Sequence, residues 1–130
     1  MATRKPLKKI LLVLGTRPEA VKLSMVARGL MASSWCSPYV CVTAQHRQLL
    51  DPILDFFDIR PDCDLGIMSK DQSVTDITCR VLQGLNTVLA RETPDWVVVQ
   101  GDTTTAFAAT LAAFYQNIPV AHVEAGLRTH

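Results

Sequence analysis

The sequence predicts an α/β domain in which helices cover both faces of a parallel sheet. Short apolar runs rich in β-branched residues recur along the chain, and they are typical of strands buried on both sides. Segments with apolar residues at helical spacing separate these runs, and polar clusters follow directly after several of them. Alternation of this kind indicates right-handed β-α-β units and therefore a Rossmann-like parallel sheet.

The first unit is a strand over residues 8–14 followed by a helix over about residues 18–32. Gly15 ends the strand, Thr16 or Arg17 lies near the helix cap, and Pro18 suits the first helical turn. We expect one apolar stripe of this helix to pack on the sheet: Val21, Met25, Val26, Leu30 and Met31.

The second strand is predicted over residues 39–44, and a helix opens after it at residues 45–48. The predicted buried positions of this helix are Leu49, Leu50, Ile53, Leu54 and Phe57. A short third strand over residues 63–65 suits a sheet edge. Ser73 and Asp76 then have the spacing of a capping box, which predicts a third helix up to about Glu92, before Pro94.

The last unit has a fourth strand over residues 96–99, a turn at Gly101 and a helix over residues 104–115, with Asp102 as its predicted N-cap. No charged residue lies between Asp102 and Glu124, so this helix has no solvated face, and we expect its outer side to be covered as well. A fifth strand over residues 119–123 delivers Glu124 at its carboxyl end.

The predicted strand order is 3-2-1-4-5, in which the chain changes direction between strands 1 and 4. Ligands of such sheets bind at the carboxyl ends of the strands, beside this switch point. The polar clusters all fall at that end: residues 15–17 after strand 1, 45–47 after strand 2, 101–103 after strand 4 and 124–126 after strand 5.

Composition and charge limit the class of protein. At 130 residues with 48% hydrophobic and 19% charged, the chain suits one globular domain. Four of the thirteen basic residues lie in the first nine positions, and the remaining nine face twelve acidic ones, which is not a nucleic-acid footprint. The apolar run behind that basic leader is too short for a signal peptide or a membrane span, so we expect a cytoplasmic location. The four cysteines form no C-x-x-C pair, and no metal site is indicated.

Four residues are candidates for chemistry at the predicted crevice. Arg17 and Lys22 could bind a phosphate or pyrophosphate, or Arg17 could pair with Glu19 or Asp102 while Lys22 is simply solvated. Asp102 could be only a helix cap. Glu124 is harder to explain structurally, because a carboxylate at the end of a buried strand is costly to desolvate without a partner. No G-x-G-x-x-G or Walker A pattern is present.

Four blocks of sequence resemble the signatures of the non-hydrolysing UDP-N-acetylglucosamine 2-epimerases. These blocks are Gly15-Thr-Arg-Pro-Glu-Ala-Val-Lys22, Thr43-Ala-Gln-His-Arg47, Gly101-Asp-Thr-Thr-Thr105 and His122-Val-Glu-Ala-Gly-Leu-Arg-Thr129. The resemblance implies the N-terminal part of the first lobe of the two-lobed fold that many nucleotide-sugar glycosyltransferases share. It also implies interconversion of UDP-GlcNAc and UDP-ManNAc without a metal or nicotinamide cofactor, in a protein that is commonly a homodimer.

By that resemblance, Asp102 and Glu124 match carboxylates implicated in acid–base work, and Arg17 and Lys22 match residues near the diphosphate. Gln45 and Gln48 match glutamines that contact a second, activating UDP-GlcNAc in bacterial members, which place an arginine where this sequence has Asp71. Family chains are nearly three times as long, so residues 1–130 are expected to be a partial domain that is inactive alone. Two other hypotheses remain: the N-lobe of a nucleotide-sugar glycosyltransferase, and a non-catalytic half that needs a partner polypeptide.

Overall fold

The computed structural model of the chain describes residues 5–43 and 47–126. In these residues, strands and helices alternate in the predicted way. Their order is β1 (Lys8–Leu14), α1 (Arg17–Met31), β2 (Cys36–Val42), α2 (Arg47–Phe56), β3 (Cys63–Asp64), α3 (Val74–Glu92), β4 (Trp96–Gln100), α4 (Thr104–Tyr115) and β5 (Val120–Val123).

The five strands form one sheet with the order β3-β2-β1-β4-β5, and every pairing between neighbours is parallel. The predicted order is therefore confirmed. At the centre of the sheet, Leu12 of β1 lies between Val40 of β2 and Val98 of β4. Because β1 and β4 are neighbours but far apart in sequence, the switch point lies between them, as expected.

Side chains of β1 alternate between two cores, one on each face of the sheet. Leu11 and Val13 belong to the core that the buried residues of α3 and α4 complete. Ile10, Leu12 and Leu14 belong to the core that α1 and α2 complete. The sheet is thus covered by helices on both faces, and this explains why its strands are continuous apolar runs.

Helix α1 buries a different face from the predicted one. Its buried residues are Glu19, Ala20, Leu23, Ser24 and Ala27, whereas three members of the predicted stripe are exposed: Val21, Met25 and Met31. Val26 and Leu30 are only partly buried at the edge of the core. The prediction left out Leu23, which is fully buried, and did not count the small residues Ala20, Ser24 and Ala27, which let the helix lie close to the sheet. The predicted buried face of α1 was therefore wrong, and the observed face is displaced from it by about one residue.

Helices α2 and α3 follow their predicted patterns more closely. In α2, Leu50 and Leu54 are buried, but Leu49 is exposed, contrary to the prediction. For α3, the sequence predicts a stripe of Ile77, Val81, Leu82, Leu85, Val88 and Leu89. Of these, Val81, Leu85, Val88 and Leu89 are buried, and Ile77 and Leu82 are partly buried. The predicted capping box is confirmed, because Asp76 N donates to Ser73 Oγ at 3.1 Å and Ser73 N donates to the Asp76 carboxylate at 2.9 Å.

Helix α4 packs through small residues and leaves its aromatic residues outside. Its buried positions are Thr105, Ala106, Ala108, Ala109, Ala112 and Ala113. Phe107, Phe114 and Tyr115 are exposed, and within residues 5–43 and 47–126 nothing covers them. None of the helices described here combines the length and apolar character that crossing a bilayer requires.

Candidate active site

An open hollow lies at the carboxyl ends of the central strands, where the sequence placed the binding crevice. Its volume is about 610 Å³, and it is lined by Pro18, Lys22, Gln100, Gly101, Asp102, Thr103, Glu124 and Gly126. This volume is in the range of small-molecule sites, roughly 300–1,000 Å³. Three of the four predicted site residues, Lys22, Asp102 and Glu124, therefore border one space.

Glu124 follows β5 directly and is held by two side chains from other elements. Lys22 of α1 forms an ion pair with its carboxylate, and Gln100 Nε2 at the end of β4 donates to Glu124 Oε2 at 2.6 Å. The backbone of Glu124 has φ +56°, a left-handed conformation that is uncommon for a residue other than glycine and that clusters at functional sites.

The charge state of Glu124 follows from these contacts. The hydrogen bond from the Lys22 ammonium lowers the pKa of the Glu124 carboxyl below its usual value, and the Gln100 amide adds to this effect. Glu124 is therefore a carboxylate at neutral pH. A carboxylate beside an open hollow can accept a proton from a bound ligand.

Asp102 is not the N-cap of α4, contrary to the prediction. The N-cap is Thr103, whose hydroxyl accepts from Ala106 N at 3.0 Å, while Gly101 takes the turn at φ +72°. Asp102 is exposed on the lining of the hollow, and within the described residues its carboxylate has no ion-pair or hydrogen-bond partner. The cap explanation therefore does not apply to Asp102.

The two predicted cations have different surroundings. Lys22 is not simply solvated, because it pairs with Glu124. Arg17 is the exposed first residue of α1 and is not part of the lining, although its neighbour Pro18 is. Among residues 5–43 and 47–126, Arg17 forms no ion pair with Glu19 or Asp102.

Glu19 is a buried charged group that the sequence interpretation missed as a site residue. Its side chain is 0% exposed. Its Oε2 accepts from Gly15 N at 2.9 Å, Thr16 N at 2.6 Å and Thr16 Oγ1 at 2.9 Å, and its Oε1 accepts from Thr103 Oγ1. The contacts between Glu19 and Thr16 could have been predicted from the sequence, because these residues have the T-x-x-E spacing of a capping box.

Two buried hydroxyls without hydrogen-bond partners lie beside Gly15. Thr43 Oγ1 and Thr105 Oγ1 are both inaccessible and unpaired in the described structure. A Cβ placed on Gly15 would lie 2.3 Å from Thr105 Oγ1 and 2.9 Å from Thr43 Oγ1. Glycine is thus required here by space, because any side chain would overlap these threonines.

Four other polar residues predicted near the ends of the strands, Gln45, His46, Gln48 and His122, are not seen on the lining of the hollow within the described residues. Gln48 is exposed in the first turn of α2, and Gln45 and His46 lie outside the described residues. The His122 ring nitrogen Nε2 lies 2.6 Å from the backbone oxygen of Gly101. In the part of the chain that the structure describes, no group of three or more His, Cys, Asp or Glu residues could hold a metal ion.

A protein-family model described as UDP-N-acetylglucosamine 2-epimerase matches residues 28–130, which is most of the chain. The chain belongs to this family. The UDP-N-acetylglucosamine 2-epimerase of Escherichia coli K12 is 56% identical over 121 residues, an alignment that covers 93% of this chain and 32% of the E. coli protein.

Solved structures of family members agree with the fold. The 2-epimerase of Neisseria meningitidis, crystallised with UDP-GlcNAc, matches with a TM-score of 0.88 and 52% identity over 94% of this chain and 33% of that one. The Methanocaldococcus jannaschii enzyme, in complex with UDP-GlcNAc and UDP, has a TM-score of 0.86 and 38% identity over 92% of this chain and 33% of its own. The predicted glycosyltransferase-B-like fold is confirmed, and the chain spans about a third of these 2-epimerases.

Proposed function

We propose that this chain supplies the N-terminal part of a UDP-N-acetylglucosamine 2-epimerase that interconverts UDP-GlcNAc and UDP-ManNAc. The observation that supports this most is the meeting of Lys22, Asp102 and Glu124 around one hollow at the switch point. These residues come from three separate blocks of the family resemblance. They place an ammonium and two carboxylates where a polar ligand of a Rossmann-like sheet binds.

The proposed chemistry is removal of the C2 proton with anti elimination of UDP. One carboxylate takes the proton from C2, the C1–O bond breaks with its electrons leaving on UDP, and a 2-acetamidoglucal remains. UDP then returns to C1 while a proton is delivered to the opposite face of C2. Asp102 and Glu124 are the proposed acid–base pair, since both are carboxylates on the hollow and Glu124 is held ionised by Lys22.

Arg17 and Lys22 are the proposed ligands of the diphosphate. Arg17 is the first residue of α1 and Lys22 lies in its second turn, near the helix end whose dipole favours an anion. Lys22 lines the hollow, and Arg17 is exposed next to Pro18, which also lines it. Gln45 and Gln48 stay a proposed site for an activating second UDP-GlcNAc. We also propose a cytoplasmic homodimer for the full-length form.

The test is a chimaera in which residues 1–130 replace the matching third of the E. coli relative. We expect the purified chimaera to convert UDP-GlcNAc to UDP-ManNAc. Asp102→Asn in the chimaera should lower kcat by about a hundredfold or more, the scale of general acid–base catalysis. Asp55→Asn is the matched control, because Asp55 is an exposed acid on α2 outside the hollow. Equal activity of the two variants would refute the role of Asp102.

A further inference from the structure

Glu19 joins two turns that are far apart in sequence. The first turn, residues 15–17, follows β1 and precedes α1, and the second, residues 101–103, follows β4 and precedes α4. Each oxygen of the Glu19 carboxylate accepts hydrogen bonds from one of these turns. Oε2 accepts the three hydrogen bonds from Gly15 and Thr16, and Oε1 accepts the one from Thr103, which is 84 residues away.

A capping box alone does not explain this arrangement. In a capping box the N3 carboxylate returns to the N-cap backbone of its own helix, and Thr16 N serves that purpose here. The bond from Thr103 is additional, and Thr103 is itself the N-cap of α4 because its hydroxyl also accepts from Ala106 N. The hydroxyl of Thr103 therefore donates to Glu19 and accepts from α4 at the same time.

The burial of Glu19 means that water cannot replace its hydrogen bonds to the two turns. A fully buried carboxylate is tolerated only when its oxygens are hydrogen-bonded, and removing one donor leaves a desolvated acceptor. The N-termini of α1 and α4 both lie beside it, and their unpaired N–H groups favour a negative charge. The carboxylate thus stabilises the approach of these two helix ends, between which the hollow opens.

We propose that Glu19 is a positioning residue that holds Asp102 in place by fixing its neighbour Thr103 against the turn after β1. Asp102 has no side-chain partner in the described structure, so its position depends on the backbone of residues 101–103. Gly101 on one side is in a left-handed turn, and Thr103 on the other side is bonded to Glu19. This proposal rests on the proposed function of Asp102.

Substitutions at Thr103 separate positioning from helix capping. Thr103→Ser keeps the hydroxyl and serves as the reference. Thr103→Asp keeps an effective N-cap but replaces the donor to Glu19 with a second carboxylate. When Glu19→Gln is combined with Thr103→Asp, the introduced glutamine amide can donate to the introduced carboxylate, so a hydrogen bond between the two turns is restored in the opposite direction.

In the chimaera, we expect Thr103→Asp to lower kcat at least tenfold relative to Thr103→Ser, with a smaller change in KM. A displacement of about 1 Å in a catalytic group can cost up to about a hundredfold. Adding Glu19→Gln should recover at least fivefold of that loss. A Thr103→Asp variant within twofold of Thr103→Ser would overturn the proposal, because capping alone would then explain Glu19. A double variant whose kcat does not recover would also overturn the proposal.

The 130-residue chain provides a second measurement that does not need activity. In amide NMR spectra, Glu19→Gln should shift the resonances of residues 101–103 as well as those of residues 15–17. If the unsubstituted chimaera is inactive, the proposed function fails, and these spectra still decide whether Glu19 positions the Asp102 turn. Shifts confined to residues 15–17 would overturn that role.

Discussion

Gly15→Ala tests the packing around the first turn of the site. The new Cβ would lie 2.3 Å from Thr105 Oγ1 and 3.0 Å from Thr105 Cβ, whereas ordinary contacts begin near 3.4 Å. Thr105 is fully buried in the first turn of α4, so relief requires a shift of about 1 Å in α4 or β1. Overpacking of this kind costs about 1–3 kcal/mol of unfolding free energy.

Thermal and urea unfolding of the 130-residue chain would measure that cost. At about 4 °C per kcal/mol for a domain of this size, the expected fall in Tm is roughly 4–12 °C. The matched background is Thr105→Ala, which removes the nearest atom of the clash and a hydroxyl that has no hydrogen-bond partner. In that background, Gly15→Ala should cost less, because the contacts that remain, 2.9 Å to Thr43 Oγ1 and 3.0 Å to the Cβ of residue 105, are less severe. An unchanged cost in both backgrounds would refute the steric explanation for Gly15.

Three further expectations concern the turns and charges of the site. Gly101→Ala should cost about 1 kcal/mol by urea unfolding, because φ is +72° while a Cβ there meets no atom within 4 Å; a neutral result would contradict the backbone argument. The contacts of Glu124 lower its pKa in the folded chain, so the stability difference between the unsubstituted chain and Glu124→Gln should be fully present at pH 7. It should shrink as the pH falls below the usual range of a glutamate carboxyl and through the lowered folded pKa, and a pH-independent difference would contradict it. The isolated chain should show no UDP-ManNAc in a coupled assay, because an open hollow cannot exclude water, and measurable turnover would refute this.

The architecture could be predicted because its determinants are local in sequence. Each central strand is a continuous apolar run, and the capping box from Ser73 to Asp76 begins α3 where expected. The alternation of strands and helices indicated a doubly wound parallel sheet, for which the order of the first five strands is typically 3-2-1-4-5. The buried face of α1 was missed because only Leu23 on it is large and apolar, while Ala20, Ser24 and Ala27 are buried by close approach to the sheet rather than by their size.

The sequence predicted that Lys22, Asp102 and Glu124 lie at the same end of the sheet, but it did not predict their contacts. The Lys22–Glu124 ion pair joins residues 102 positions apart. The bond from Thr103 to Glu19 is equally remote, so no local pattern reports it. Asp102 was assigned as a cap because Asp favours that position, whereas the left-handed turn at Gly101 moves the cap to Thr103.

The most direct test of the proposed function is solvent isotope incorporation at C2 of UDP-GlcNAc. The chimaera would be incubated with UDP-GlcNAc in D₂O, and the C2 proton would be followed by NMR in the substrate and product pools. If carboxylates on the hollow remove the C2 proton, UDP-ManNAc formed in D₂O should carry deuterium at C2. The Asp102→Asn variant should not incorporate this deuterium. A folded chimaera that binds UDP-GlcNAc and leaves C2 fully protonated would contradict the account.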